Sequence, residues 1–257
     1  MKTYDLAFLE NPKPVVSKDL KYTLSTLELL FSGASSRGIL IYAGVDWTPI
    51  YPDWPKEKPN QPFDLLPVVT VADKGEREAG RTFVLAENLA VDIFLAKHFG
   101  LHGNDEWEEG VINSFYSSSN AFFFQEIINN LYFGSANSAE EKTAKLDTFL
   151  NKTLAGWADI HEAHLKNNHL NGHYVGNRTT LADIRTTTML EMLTRVIGVD
   201  RVKSVINETR TPGIHKVITA VQSKPSYAAW FSSDAYKNLD SKTTAFVKND
   251  HPEFFLE

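Results

Sequence analysis

Apolar positions occur in short, strand-like runs over roughly the first hundred residues and at helical spacing beyond them. Residues 21–31 (KYTLSTLELLF) are rich in β-branched and aromatic side chains and predict a strand. The small polar run 32–36 reads as a turn and a helix start, with Ser35 or Ser36 as the N-cap. That helix continues over 37–43 and stops at Gly44. Residues 45–51 predict a second strand, 67–72 a third and 81–84 a fourth, with a turn at 73–76. A helix over 87–99 ends at Gly100, so the order is β-α-β, loop, β-β-α.

From Asn104 to about Ser233 helical patterns dominate, broken at 134–135, 167–172, 212–213 and 224–225. Met189, Met192, Leu193 and Val196 fall at i, i+3, i+4 and i+7 and share one helical face. Thr180-Leu181-Ala182-Asp183 has capping-box spacing, with Asp in the place of the usual Glu or Gln. Its expected role is structural, to set where a buried helix starts. Residues 1–20 show little periodicity and read as an N-terminal extension. Residues 236–257 read as a C-terminal tail that docks on the body or on a partner.

Between the second and third strands lies DWPKEKPNQPFDLLPVV, residues 53–69, with four prolines, one tryptophan and two lysines. Prolines at this density exclude a helix or a central strand. The segment is expected to be a rigid, irregular connection that presents Trp54 and Lys58 beside an exposed backbone edge at Leu66. Pro67 stands where a cis bond is expected. Such a loop suits a small anionic peptide.

Composition narrows the classes. A 42% hydrophobic fraction with 23% charged residues is ordinary for a globular protein. The net charge of −6 argues against nucleic acid as a partner. No apolar run approaches the roughly 18 residues of a membrane-spanning helix, and the N-terminus lacks a signal-peptide pattern, so a cytoplasmic location with no membrane partner is expected. With no cysteine there is no disulfide, thiolate metal site or cysteine nucleophile. His161-Glu162-Ala163-His164 lacks the His-Glu-x-x-His spacing, so no metal is expected.

Three stretches in this order and spacing, WPKEKPNQPFDLLPV (54–68), ENLAVDIFLAKHFGL (87–101) and YVGNRTTLADI (174–184), resemble the cytosolic glutathione S-transferase family. The resemblance covers about residues 21–233 and is nearest to the sigma class and its S-crystallin relatives. It implies an α/β thioredoxin-like domain over 21–101, an all-helical domain over 102–235 and a homodimer. Glutathione is implied as cosubstrate, small hydrophobic electrophiles as its reaction partners, and detoxification as the role.

Residue by residue, the resemblance places Trp54 and Lys58 at the glycine carboxylate of glutathione. Leu66, before Pro67, would pair its backbone with the cysteinyl part. Glu87 and Asn88 would hold the γ-glutamyl end, where a helix start favours a carboxylate. Tyr116 and Phe123 fall in an aromatic-rich helix that faces either the electrophile pocket or the dimer interface.

The departures bear on catalysis. Thr26 stands where the sigma class has its thiolate-stabilising tyrosine, and Leu65 replaces a polar residue two before the proline. Asn113, Ser117 and Asn120 replace aspartates. A hydroxyl can still lower the thiol pKa, and the candidates in order are Ser32, Thr26 and Ser25. Two readings therefore stand. One is a transferase that conjugates the thiolate of glutathione to hydrophobic electrophiles. The other is a non-catalytic binding or structural protein of the same fold.

Overall fold

The computed structural model describes residues 20–73, 82–134 and 138–250. The chain forms two compact units that divide after Gly100. The first holds β1 (Leu20–Ser25), α1 (Ala34–Ala43), β2 (Trp47–Ile50), β3 (Val68–Asp73), β4 (Thr82–Ala86) and α2 (Asn88–His98). Its sheet has the order β2-β1-β3-β4. β1 pairs parallel with β2 and antiparallel with β3, and β3 pairs antiparallel with β4. Leu20, Tyr22 and Leu24 of β1 are buried while Lys21 is exposed, the alternation a half-covered strand requires. This is the α/β unit expected from the sequence. The N-terminal extension, apart from Leu20, lies outside the described residues, as does the 73–76 turn beyond Asp73.

β1 is shorter than expected and ends at Ser25. The buried Arg37 guanidinium draws the chain out of the ladder. It donates to the carbonyls of Leu29 (3.3 Å), Leu30 (3.2 Å) and Ser32 (3.1 Å). α1 also starts differently. Its N-cap is Gly33, in the left-handed region at φ 61°, and not Ser35 or Ser36. A Cβ at Gly33 would come within 2.6 Å of Thr26 Cγ2 and 3.2 Å of Pro67 Cβ, which excludes a larger residue. The two serines lie inside the first turn and donate their hydroxyls to the buried Asp92 of α2. Gly44 caps the other end at φ 67°, its N–H directed at the Leu40 and Ile41 carbonyls.

The second unit is helical. α3 (Glu106–Ala121) runs into a wider π-helical stretch, Phe122–Tyr132. α4 (Ala139–Thr148) continues through a similar stretch, Phe149–Leu154, into α5 (Ala155–Asn167). α6 (Leu181–Ile197) follows, then α7 (Val199–Val205), α8 (Pro212–Gln222), α9 (Pro225–Ser232) and α10 (Asp234–Asp250). Pro212 and Pro225 open helices, because the missing N–H of a first-turn proline loses no helical bond. α10 replaces the first part of the expected tail, with Leu239, Thr243 and Val247 buried at four-residue spacing. The rest of that tail, residues 251–257, lies outside the described residues.

α6 is the centre of this unit and packs against α3, α7, α8 and α10. Met189, Met192, Leu193 and Val196 are buried on it, as the periodicity requires. The capping box is present. Asp183 accepts from the Thr180 backbone N–H at 2.7 Å and also from the Tyr174 N–H at 2.8 Å, which ties the preceding loop to the helix start. Burial raises the Asp183 carboxyl from 3.8 to about 6, against the opposing pull of those donors.

Asp183→Ala is expected to destabilise the chain by about 1–3 kcal/mol for each orphaned N–H, read from urea unfolding. Asp183→Asn tests the charge. The folded protein holds the Asp183 proton more tightly than the unfolded chain does, so this group's contribution declines as pH rises from about 4 to about 6 and is level above. The stability difference, wild type minus Asp183→Asn, should therefore be smaller at pH 7 than at pH 4.5.

Candidate functional site

Strand register gathers the candidate segments of the first unit at one end of its sheet. Ser25, the last residue of β1, pairs with Val68, the first of β3, and Val68 pairs with Ala86, the last of β4. Ser25 also pairs with Ile50, the last residue of β2. The Thr26 turn, the Leu66-Pro67 step and the Glu87-Asn88 helix start therefore emerge side by side. The proline loop leaves β2 from the same end.

That loop is folded on itself. Glu57 accepts from the Asp53 N–H at 2.6 Å while its own N–H donates to the Asp53 carbonyl at 2.7 Å. A 3₁₀ turn, Lys58–Asn60, follows, then a turn over Pro62–Asp64 in which Phe63 and Asp64 have positive φ, and the Trp54–Pro55 and Leu66–Pro67 bonds are cis. Trp54 is half-buried, and the exposed Lys58 holds its ammonium 5.9 Å from the centre of the Trp54 ring. A cation and an indole N–H thus occupy one short stretch. Pro67 is buried, and Leu66 is half-buried and lies outside the ladder. Among the described residues the Leu66 main chain makes no backbone hydrogen bond beyond the sheet, so its N–H and C=O are open to an extended ligand.

Glu87 is exposed and has φ 73°, outside the range comfortable for a residue with a Cβ. It precedes α2, whose first turn has no side-chain cap from Glu87. The positive end of the helix dipole there favours an anion, while the Glu87 carboxylate favours a cation. Asn88 is half-buried and donates to Asp92 at 3.3 Å.

The three hydroxyls differ in access. Ser25 is buried in the last position of β1. Thr26 is 1% exposed, its N–H donates to the Ile50 carbonyl at 3.0 Å, and its hydroxyl oxygen accepts from Arg37 at 3.4 Å. Ser32 is half-buried and immediately precedes Gly33, at the uncapped N-terminus of α1. Ser32 is therefore the accessible hydroxyl beside a positive helix end.

Tyr116 and Phe123 are both buried, and the Arg185 guanidinium lies 4.8 Å from the centre of the Phe123 ring. Of their aromatic neighbours, Phe124 is exposed. Asn113 bonds the His102 ring at 3.0 Å. His161 stacks on Trp157 at 4.1 Å between ring centres, and its two nitrogens contact Ser118 (2.9 Å) and Tyr174 (2.7 Å). Burial, together with neighbouring His164, lowers His161 to about 3.

Two organising residues escaped the sequence reading, Arg37 and Asp92. The signal for Asp92 is its place as a lone acid among apolar neighbours in Leu89-Ala90-Val91-Asp92-Ile93, and nothing local marks Arg37.

A family model described as "Glutathione S-transferase, C-terminal domain" matches residues 123–234. The chain is 35% identical over 96 residues to "Probable glutathione S-transferase 7" of Caenorhabditis elegans, which covers 36% of this chain and 42% of that protein. Over 195 residues it is 25% identical to "Glutathione S-transferase 2" of Manduca sexta, covering 74% and 83%. The first relative is thus matched over less than half its length. Among solved structures, prostaglandin synthase D of Nilaparvata lugens superposes with TM-score 0.65 at 23% identity, covering 83% of this chain and 98% of that one. A Fasciola hepatica sigma class GST gives 0.65 at 19%, covering 84% and 97%. These last two are similarities of fold.

Arg37→Met is expected to free the 27–33 loop. The loss of charge-assisted bonds to these carbonyls should cost about 1.5–3 kcal/mol, and amide exchange should rise over 27–33 more than over β1.

Proposed function

We propose, for a chain that belongs to the cytosolic glutathione S-transferase family, that its first unit binds glutathione and presents the thiolate to hydrophobic electrophiles. The observation that carries this reading is the strand register, which brings the Leu66-Pro67 step, the Glu87-Asn88 helix start and the β1–α1 turn to one end of the sheet. In this reading Lys58 and the Trp54 indole N–H hold the glycine carboxylate. Leu66 pairs its main chain with the cysteinyl unit as a short strand would. The N-terminus of α2 with Asn88 takes the γ-glutamyl carboxylate, and Glu87 its ammonium.

The thiol then lies toward the start of α1. Ser32 donates its hydroxyl hydrogen to the sulfur, and the helix end adds positive potential, so the thiolate is favoured over a free thiol near pKa 8.5. The thiolate attacks an electrophilic carbon and forms a C–S bond. The displaced electron pair leaves with a leaving group or moves onto a conjugated carbonyl oxygen. Binding supplies orientation, and the donor stabilises the sulfur until the bond forms. A cytoplasmic homodimer in detoxification completes the proposal, supported by the family resemblance.

One observation favours the second reading, a non-catalytic glutathione-binding protein. Thr26, at the position of the sigma-class tyrosine, is buried and has its oxygen held by Arg37. If Ser32 does not activate the thiol, no other candidate hydroxyl is accessible.

Titrating bound glutathione by thiolate absorbance in the ultraviolet separates the two. A bound-thiol pKa at least one unit below 8.5 is expected, returning toward the free value in Ser32→Ala and unchanged in Thr26→Val. An unshifted wild-type pKa would leave a binding scaffold. Turnover in Ser32→Ala should fall by about 100-fold or more, as for the loss of one oxyanion donor. Lys58→Ala should weaken glutathione binding by about 3–10-fold at low salt, and by less as salt screens the exposed charge.

A further inference from the structure

The helical unit contains a cavity of about 450 Å³ that the glutathione proposal does not use. α6, α7, α8, α9 and α10 wall it, and it is contained within residues 187–236. Leu190, Val202, Ile206, Ile218 and Phe231 make its lining mostly apolar. A volume of this size holds a molecule of one or two rings.

One carboxylate in that lining, that of Glu191, is hydrogen-bonded only by neutral groups. Glu191 accepts from the Gln222 amide at 2.9 Å and the Tyr227 hydroxyl at 3.4 Å, both neutral donors. Arg195, the nearest positive group, is committed elsewhere. Its Nε donates to Asp240 at 2.8 Å, and its other nitrogens bond the Tyr236 hydroxyl and the Glu191 backbone carbonyl. The Arg195–Asp240 pair therefore cancels itself. Lys203 and Glu208, both exposed, oppose each other in sign, and His215 is half-buried. The charge left facing the cavity is that of Glu191.

We propose that this cavity binds a small hydrophobic amine, its apolar body among Leu190, Val202, Ile218 and Phe231 and its ammonium on Glu191. The reasoning is charge complementarity. With Arg195 already paired to Asp240, the Glu191 carboxylate leaves this mostly apolar chamber one negative charge in excess, which favours a cation and penalises an anion of the same shape through like charge, while an uncharged isostere gains no ion pair. Burial supports this, because it raises the Glu191 carboxyl from 4.5 to about 7 against the pull of the Gln222 bond, the Arg195 charge and the Tyr227 bond. Near pH 7 the site is part protonated, and an arriving ammonium must displace that proton.

The test is calorimetric titration of the full chain with benzylamine, benzyl alcohol and benzoate. Benzylamine is expected to bind in the millimolar range or tighter, with the alcohol and benzoate each at least tenfold weaker. At pH 7 benzylamine binding should release protons, read from the dependence of heat on buffer ionisation, and the release should vanish at pH 8.5. Glu191→Gln should abolish the preference for the amine. Ile218→Trp, which fills the chamber and leaves Glu191 in place, should abolish binding while the near-ultraviolet dichroism stays native. Benzoate binding as tightly as benzylamine would overturn the proposal. So would an unchanged amine affinity in folded Glu191→Gln or Ile218→Trp, or no amine binding at 10-fold above the millimolar range.

Discussion

Antiparallel pairing of β3 with β1 on one side and β4 on the other is the constraint on which the first unit depends. Because Ser25, Val68 and Ala86 lie in one register row, three chain segments distant in sequence leave the sheet together. A slip of one residue would turn Val69 and Val71 from core to solvent and would part Leu66 from Glu87. Burial of the β1 and β3 side chains holds that register, so the same apolar contacts that stabilise the sheet also position polar groups at its end.

Two buried charges complete the arrangement. Arg37 gathers the carbonyls of Leu29, Leu30 and Ser32 and so shapes the turn that carries Ser32. Asp92 accepts from Ser35, Ser36 and Asn88 and joins the starts of α1 and α2. A buried charge is costly unless its bonds are met, and here carbonyls and a hydroxyl bind the terminal nitrogens of Arg37, while hydroxyls and an amide bind the Asp92 oxygens. Each residue converts a flexible helix approach into a defined one, and both approaches belong to the candidate site.

The helical unit shows the same logic in another form. Asp183 holds the start of α6 and the Tyr174 loop, while Glu162 accepts from the Gly213 and Ile214 N–H groups at the start of α8. Those carboxylates are filled by backbone donors. Glu191, half-buried, receives only an amide and a phenol. That contrast separates a structural acid from one able to take a ligand.

The chain's local chemistry was legible as written. Gly44 as a helix stop, Thr180–Asp183 as a capping box, the Met189–Val196 face and Pro67 before a strand each depend on neighbours within a few residues, so the pattern alone predicts them. The irregular loop was legible from its prolines and the Glu87-Asn88 step as a helix start, whereas the glutathione roles given to both rest on likeness to a family. Long-range packing decided what local pattern could not express. Ser35 meets Asp92 across 57 residues, which moves the cap from the serines to Gly33. Arg37 shortens β1 against its own β-forming sequence. α10 needed Leu239, Thr243 and Val247 to find a surface before its polar sequence became a helix. Sequence by itself determined which segments could be strands, helices and caps, because those preferences are local. Only the tertiary structure decided which hydroxyl is accessible and which donors each carboxylate receives, because both follow from groups that meet through space.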